Sequence, residues 1–170
     1  MIRRATIEDL PRILEIYNYY VENTTLAFDW EPRTHDKGVL WFESHDERHP
    51  IIVQNDPVGG WASLSEWAPH EGYTQTAELS IFVDRNQRGN GLGRELFNSI
   101  LRIAGELDYH CIISRITEGN DVSRRMHEKS GFRYIGHMNE VGLKFDKWLN
   151  VHLYQKVLNE TEQGSPGNVD

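Results

Sequence analysis

Residues 76–83 alternate strictly, with Ala77, Leu79, Ile81 and Val83 on one side and Thr76, Glu78, Ser80 and Phe82 on the other. That period of two predicts a strand with one apolar face. After a polar, glycine-containing stretch the period becomes helical, and Leu92, Leu96, Ile100, Ile103 and Leu107 fall on one stripe. Upstream, a short strand is predicted over 2–5. Thr6, followed by the acidic Glu8 and Asp9, then opens a helix carrying Leu10, Ile13, Leu14 and Tyr17. Pro11 lies early enough in that helix to be tolerated. The stretch 19–34 has no clean period; its Phe28 and Trp30 either form a lid over a site or fill the core.

A second helix over 36–44 is expected to bury Val39, Leu40 and either Trp41 or Phe42. A strand follows over 50–54. Asn55-Asp56-Pro57 with Gly59-Gly60 marks a turn, and a hairpin partner starts near Val58 and runs through Trp61 to Leu64. A loop is expected over 67–72. Beyond the long helix, 110–116 reads as strand, and Asn120-Asp121 caps a helix that runs to Lys129 and is stopped by Gly131. Strands over 133–141 and 148–155 are joined by a loop over 142–147. The resulting order, β-α-α-β-β-β-α-β-α-β-β, implies a mixed sheet flanked by helices in a single α/β (α+β) domain over 1–157. The polar segment 158–170 is expected to be a disordered tail.

Composition narrows the function classes. The chain has 170 residues, 38% hydrophobic and 26% charged, which suits one globular domain. The net charge of −8 argues against a nucleic-acid partner. No apolar run approaches a membrane span, and the N-terminus lacks the apolar core of a signal peptide, so a cytoplasmic protein without a membrane partner is expected. The single cysteine, Cys111, sits in an apolar run and reads as buried filler rather than a nucleophile. His45 and His49 flank an acidic turn without the spacing of metal ligands, and no metal is expected.

The chemistry concentrates between the strand and the long helix. Strand, glycine loop and helix in this order form an anion-binding device. Backbone N–H groups of 88–93 converge, the helix N-terminus adds partial positive charge, and Gly89, Gly91 and Gly93 allow close backbone approach. Neither G-x-x-x-x-G-K-[ST] nor G-x-G-x-x-G fits here. The pattern that does fit, R-x-x-G-x-G at Arg88, Gly91 and Gly93, resembles the pyrophosphate loop of the GNAT acyl-CoA-dependent N-acyltransferases.

Three further stretches resemble the phosphinothricin and methionine sulfone/sulfoximine N-acetyltransferases of that superfamily. They are Tyr73 to Val83 with Glu78 inside, Asn120-Asp121-Val122-Ser123 through His127 to Gly131-Phe132, and Val141-Gly142-Leu143-Lys144 with Trp148. The resemblance implies a GNAT-like, mostly antiparallel central sheet, acetyl-CoA as cofactor, a small-molecule amine as acceptor, and a homodimer. It implies cofactor contacts at Phe82, Val83, Arg88, Gly89, Asn90, Gly91, Leu92, Gly93, Asn120 and Ser123. Phe28, Trp61, Thr74 and Lys144 are the implied substrate residues. Relatives with amino-acid substrates carry a basic residue four positions before the strand glutamate. This chain has Thr74 there, so Lys144, His70 or Arg33 would have to supply the charge.

Glu78 suits a general base acting directly or through a water, or else a carboxylate that binds a substrate ammonium. His127 occupies the place where many GNAT enzymes carry a tyrosine that protonates the leaving thiolate; it either donates that proton, packs at a helix end or bonds the cofactor. The leading expectation is acetyl transfer to the amine of a small amino acid or analogue, without an acyl-enzyme. The alternatives are a polyamine, aminoglycoside or peptide N-terminal acceptor, and a non-catalytic acyl-CoA-binding module.

Overall fold

The computed structural model describes residues 1–54 and 57–158. Its strands are β1 (Ile2–Arg4), β2 (Ile51–Gln54), β3 (Gly60–Glu66), β4 (Thr76–Val83), β5 (Cys111–Thr117), β6 (Arg133–Lys144) and β7 (Lys147–Val157). The helices are α1 (Leu10–Asn23), α2 (His35–Glu43), α3 (Leu92–Glu106) and α4 (Asp121–Lys129). All seven strands form one sheet in the order β1-β2-β3-β4-β5-β7-β6. Only the central pair, β4 with β5, is parallel.

The predicted alternation of β4 puts its two side-chain sets in different cores. Ala77 and Leu79 join Ala62, Leu64, Ile112 and Ile116 beneath Leu92, Leu96, Phe97 and Ile100 of α3. On the other face, Trp61 packs with Ile13, Ile16 and Tyr20 of α1, and Phe82 lies against them. Leu96, Phe97 and Ile100 are fully buried, so truncating any one to alanine costs about 2–5 kcal/mol. The β3–β4 ladder runs without a register shift from Gly60↔Val83 to Glu66↔Ala77, so the alternation holds through Glu78.

The β4–β5 pairing is short. Thr76, Ala77 and Glu78 pair with Cys111, Ile112 and Ile113, and there the ladder ends while both strands continue. Past Glu78 the two strands part, and the backbone polar groups on that edge of β4 have no ladder partner. This split in the middle of the sheet opens the functional cleft.

Three expectations change. Leu40 is 68% exposed, and α2 instead seats Gly38 on Leu14, whose Cδ1 would lie 2.6 Å from an added Cβ. Close helix approach holds α2 in place together with Trp41 and Phe42, which pack half-buried against the core. The 142–147 segment is not a loop: β6 and β7 are closed by a two-residue turn at Phe145 and Asp146, with φ of 50° and 58° and Lys144 opposite Lys147. That geometry normally advertises itself with Asn-Gly, which is missing here. Within 67–72, a 3-10 turn begins at Glu71 (Glu71–Tyr73). Asn55 and Asp56 of the expected turn, and 159–170 of the expected tail, lie outside the described residues.

Candidate active site

The glycine loop is built from the end of β4. Asp84 accepts a hydrogen bond from the Asn86 N–H at 2.7 Å and pairs with Arg12, pinning the 3-10 turn Arg85–Gln87. Burial would raise the Asp84 carboxyl, but these two partners outweigh it and hold it below the ordinary value. Gly89 and Gly91 follow with φ of 84° and 86°, a region costly for any residue with a Cβ. An added Cβ at either position would meet nothing within 4 Å, so these glycines face open space rather than a crowded interior. Gly91 caps α3, and the first helical bond is the Glu95 N–H to the Gly91 carbonyl at 3.0 Å. The preceding N–H groups of Leu92, Gly93 and Arg94 are therefore left at the helix mouth. Leu92 itself turns its side chain into the core. Arg88 lies over the Tyr20 ring at 5.0 Å.

From this loop a cleft of about 1170 Å³ runs through the β4–β5 split. Its walls include Phe82, Val83, Arg88, Gly89 and Gly93 on one side, and Asn120, Ser123 and His127 of the α4 region on the other. It continues to an aromatic end lined by Tyr17, Phe28, Trp41 and Trp61. Cross-strand pairs grade the floor: Trp61 lies opposite Phe82 and Ser63 opposite Ser80, and Ser65 follows, its partner Glu78 set off the cleft wall. Among the described residues, four buried polar side-chain atoms lack a hydrogen-bond partner. Three of these, Trp61 Nε1, Ser114 Oγ and His127 Nε2, belong to residues lining the cleft. Unpaired polar atoms concentrated on one cleft signal a polar occupant.

Glu78 lies where the ladder ends, but Arg115 dominates its surroundings. The guanidinium donates from Nε and Nη2 to the two carboxylate oxygens, both at 2.6 Å. Arg115 lines the cleft, whereas Glu78 lies behind it. The sequence does carry a signal for Arg115: it is the one charge in the run Cys111-Ile112-Ile113-Ser114-Arg115-Ile116. At the same level the Ser65 hydroxyl meets His45 Nε2 at 3.2 Å, while His45 Nδ1 donates to the Trp41 carbonyl at 2.8 Å.

Three of the implied site residues sit in surroundings that bear on their roles. His127 is only 1% exposed and is packed against Phe97, Phe132 and Tyr154. Its Nδ1–H donates to the Ser123 carbonyl at 2.8 Å, and burial lowers its pKa to about 4. A neutral imidazole with its one N–H engaged presents a bare Nε2, so it is an acceptor and not a proton donor. Lys144 is 2% exposed and lies outside the cleft, donating from Nζ to the Ala27 carbonyl at 2.5 Å. It fastens the 24–33 segment, as does Trp30, whose indole donates to the Leu143 carbonyl at 2.9 Å. Thr74 is exposed and also outside the cleft; its carbonyl accepts from Arg48 at 2.6 Å.

The other assigned residues lie as follows. Phe28 lines the cleft and rests directly on Gly142, where a Cβ would come within 2.3 Å of its ring. Asn120 Oδ1 caps α4 by accepting the Ser123 N–H at 3.2 Å, which leaves its amide N–H₂ free to face the cleft. Asn90 stands on the loop with its amide 3.4 Å from Gln87 Oε1. Cys111 is buried, with Gln155 Nε2 3.2 Å from its sulfur. Among the described residues no group of three His, Cys, Asp or Glu is placed to hold a metal ion. Among the described residues no helix is long and apolar enough to cross a membrane.

A strand pair parted at its centre, with an open-faced glycine loop at one end of the gap and an aromatic pocket at the other, defines an acyl-group transferase with a long anionic donor. The chain belongs to the acetyltransferase (GNAT) family, whose model matches residues 13–132. It is 37% identical over 164 residues to the L-methionine sulfoximine/L-methionine sulfone acetyltransferase of Pseudomonas aeruginosa, covering 94% of this chain and 95% of the relative. It is 30% identical over 163 residues to the phosphinothricin N-acetyltransferase of Streptomyces coelicolor, covering 92% and 95%. A phosphinothricin acetyltransferase of Sinorhizobium meliloti, solved in complex with acetyl-CoA, superposes with a TM-score of 0.90 at 27% identity, covering 98% of this chain and 92% of that one.

Proposed function

We propose that the protein is an acetyl-CoA-dependent N-acetyltransferase acting on the α-amine of a small amino acid or analogue of the methionine sulfone, methionine sulfoximine or phosphinothricin type. The observation that carries this reading is the unbroken cleft from the Gly89–Gly91 loop, past the β4–β5 split, to the aromatic end. The fit to acetyl-CoA rests on two left-handed glycines facing open space and on the unpaired edge of β4. When bound, acetyl-CoA supplies the activated acetyl thioester.

The chain's own residues do the rest. N–H groups of 88–93 and the α3 N-terminus hold the pyrophosphate. Outward N–H groups near Phe82 and Val83 receive the charge that develops on the thioester oxygen. The free amide of Asn120, with Ser123 beside it, faces the pantetheine arm. Glu78, oriented by Arg115, takes the amine proton through a water. Ser65 with His45 has the form of an activated nucleophile, but it stands level with Glu78, where the β4–β5 ladder is still closed. That level lies away from the unpaired edge of β4, which favours direct transfer.

The acceptor amine is a small molecule in the cytoplasm, and the enzyme is a homodimer. The exposed cluster of Trp30 (73%), Val141, Phe145 and Trp148 around the β6–β7 turn supports a second copy covering that face. The test is free-thiol release from acetyl-CoA across amino acids, methionine sulfone and sulfoximine, phosphinothricin, polyamines and short peptides, with initial-rate patterns for the best acceptor. Turnover of an α-amino acid with intersecting patterns is expected. Turnover confined to polyamines or peptides, or parallel lines that vanish in Ser65→Ala, would replace the reading.

A further inference from the structure

The aromatic end of the cleft contains a cation that the proposed reaction leaves without a role. Four arginines line the cleft: Arg33, Arg88, Arg115 and Arg125. Arg88 belongs to the glycine loop, Arg125 to α4 beside Asn120 and Ser123, and Arg115 is bound through two N–H groups to Glu78. Only Arg33 stands among the acceptor-end aromatics. Its guanidinium lies 4.5 Å from the Tyr17 ring centroid and 5.4 Å from that of Trp41, within cation–π reach of both. Asp29 holds one corner, Nη2 to Oδ2 at 3.0 Å, and accepts the Tyr17 hydroxyl at the same distance. Nε and Nη1 have no hydrogen-bond partner among the described residues.

Beside it, Trp61 is 3% exposed, yet its indole N–H is unpaired. Trp61 shares both of Arg33's aromatic neighbours, with ring centroids 6.3 Å from Tyr17 and 5.3 Å from Trp41. Arg and indole are donor-only groups. An ammonium cannot satisfy them, but a carboxylate can. Thr74, Lys144 and His70 all lie outside this cleft, so none of them competes for the task.

We infer that Arg33, with the Trp61 indole N–H as second donor, is the receptor for the α-carboxylate of the acceptor, replacing the basic residue that position 74 lacks. The inference rests on the amino-acid acceptor proposed above. A carboxylate held there points its α-amine back along the serine floor toward Ser65, Ser80 and Glu78. A planar guanidinium with Nε and Nη1 still open also favours a carboxylate over the ammonium of a polyamine, which it would repel.

The test uses thiol release at saturating acetyl-CoA with methionine sulfone and with its neutral carboxamide, in the wild type, Arg33→Gln, Arg33→Lys and Trp61→Phe. Wild type should prefer the carboxylate by about 100-fold in kcat/KM, from a paired charge buried in the site. In Arg33→Gln, KM for methionine sulfone should rise about 100-fold with kcat changed less than about threefold, while the carboxamide is handled as by wild type. Arg33→Lys should recover part of the loss, and Trp61→Phe should raise the same KM about tenfold. Unchanged acetyl-CoA affinity by calorimetry reports an intact fold, and Arg33→Lys serves as the test variant if glutamine loosens the loop. An unchanged KM in Arg33→Gln, or an equal loss with the carboxamide, overturns the inference while leaving the enzyme an amino-acid acetyltransferase. A wild type that acetylates amines but no amino acid overturns both.

Discussion

Arg115 grips both oxygens of Glu78, 2.6 Å from each, at the last residue pair before β4 and β5 separate. The contact joins the strand that carries the proposed base to the strand that forms the opposite wall of the gap. It fixes the carboxylate by a bidentate fork, a geometry that specifies orientation as well as charge. Removing the carboxylate should therefore cost more than removing its holder. In Glu78→Gln, kcat should fall by about 10²-fold or more with acetyl-CoA binding retained. In Arg115→Gln the fall should be nearer tenfold, since the base remains but loses its orientation. Single-turnover rates measure both, and a Glu78→Gln enzyme with normal kcat would remove that residue from proton transfer.

Gly91 caps α3 in the left-handed region at φ 86° and faces open space. Valine there adds the cost of that conformation, about 1–2 kcal/mol, and fills the space the donor's phosphates need. Acetyl-CoA affinity in Gly91→Val should drop at least about tenfold by calorimetry. Equal affinity would mean that the anion lies elsewhere.

Gly142 supports the acceptor pocket from outside. Adding a Cβ would place it 2.3 Å and 2.7 Å from two ring atoms of Phe28, so the ring must leave its seat. Gly142→Ala is expected to destabilise the fold by about 1–3 kcal/mol, the usual cost of overpacking. It should also raise the acceptor KM while leaving acetyl-CoA affinity alone. Thermal unfolding and steady-state kinetics read the two effects separately.

His127 makes stability depend on pH. Burial lowers its pKa from 6.5 to about 4, so between those values the unfolded chain binds the proton that the folded chain refuses. The contribution is fully present above pH 6.5 and is lost as pH falls toward 4, a change of about 3 kcal/mol from a shift of that size. His127→Phe keeps an aromatic among Phe97, Phe132 and Tyr154 and removes the titration. Its unfolding free energy should vary less between pH 6.5 and 4 than that of wild type, by denaturant titration. Its kcat near neutral pH should stay within about threefold, and a hundredfold loss would restore the proton-donor role.

Local periodicity made much of this molecule legible without coordinates. The alternation at 76–83 assigned Glu78 and Phe82 to one face and Leu79 to the other, and the helical stripe from Leu92 located α3, because both patterns reflect which side of a single element meets water. The left-handed glycines were legible for a similar reason: a backbone conformation costly for most other residues leaves its mark in the residue type. Motif position alone points Lys144, Thr74 and His127 to the site. Their actual surroundings depend on contacts with distant parts of the chain: Lys144 with Ala27, Thr74 with Arg48, and His127 with Phe97 and Tyr154. The same holds for Arg115 against Glu78 and for Arg33 between Tyr17 and Trp41. Strand order and the docking of 24–33 on β6 decide those meetings. Such long-range pairings leave no periodic signal, so only the tertiary structure could say which cation stands at the aromatic end of the cleft.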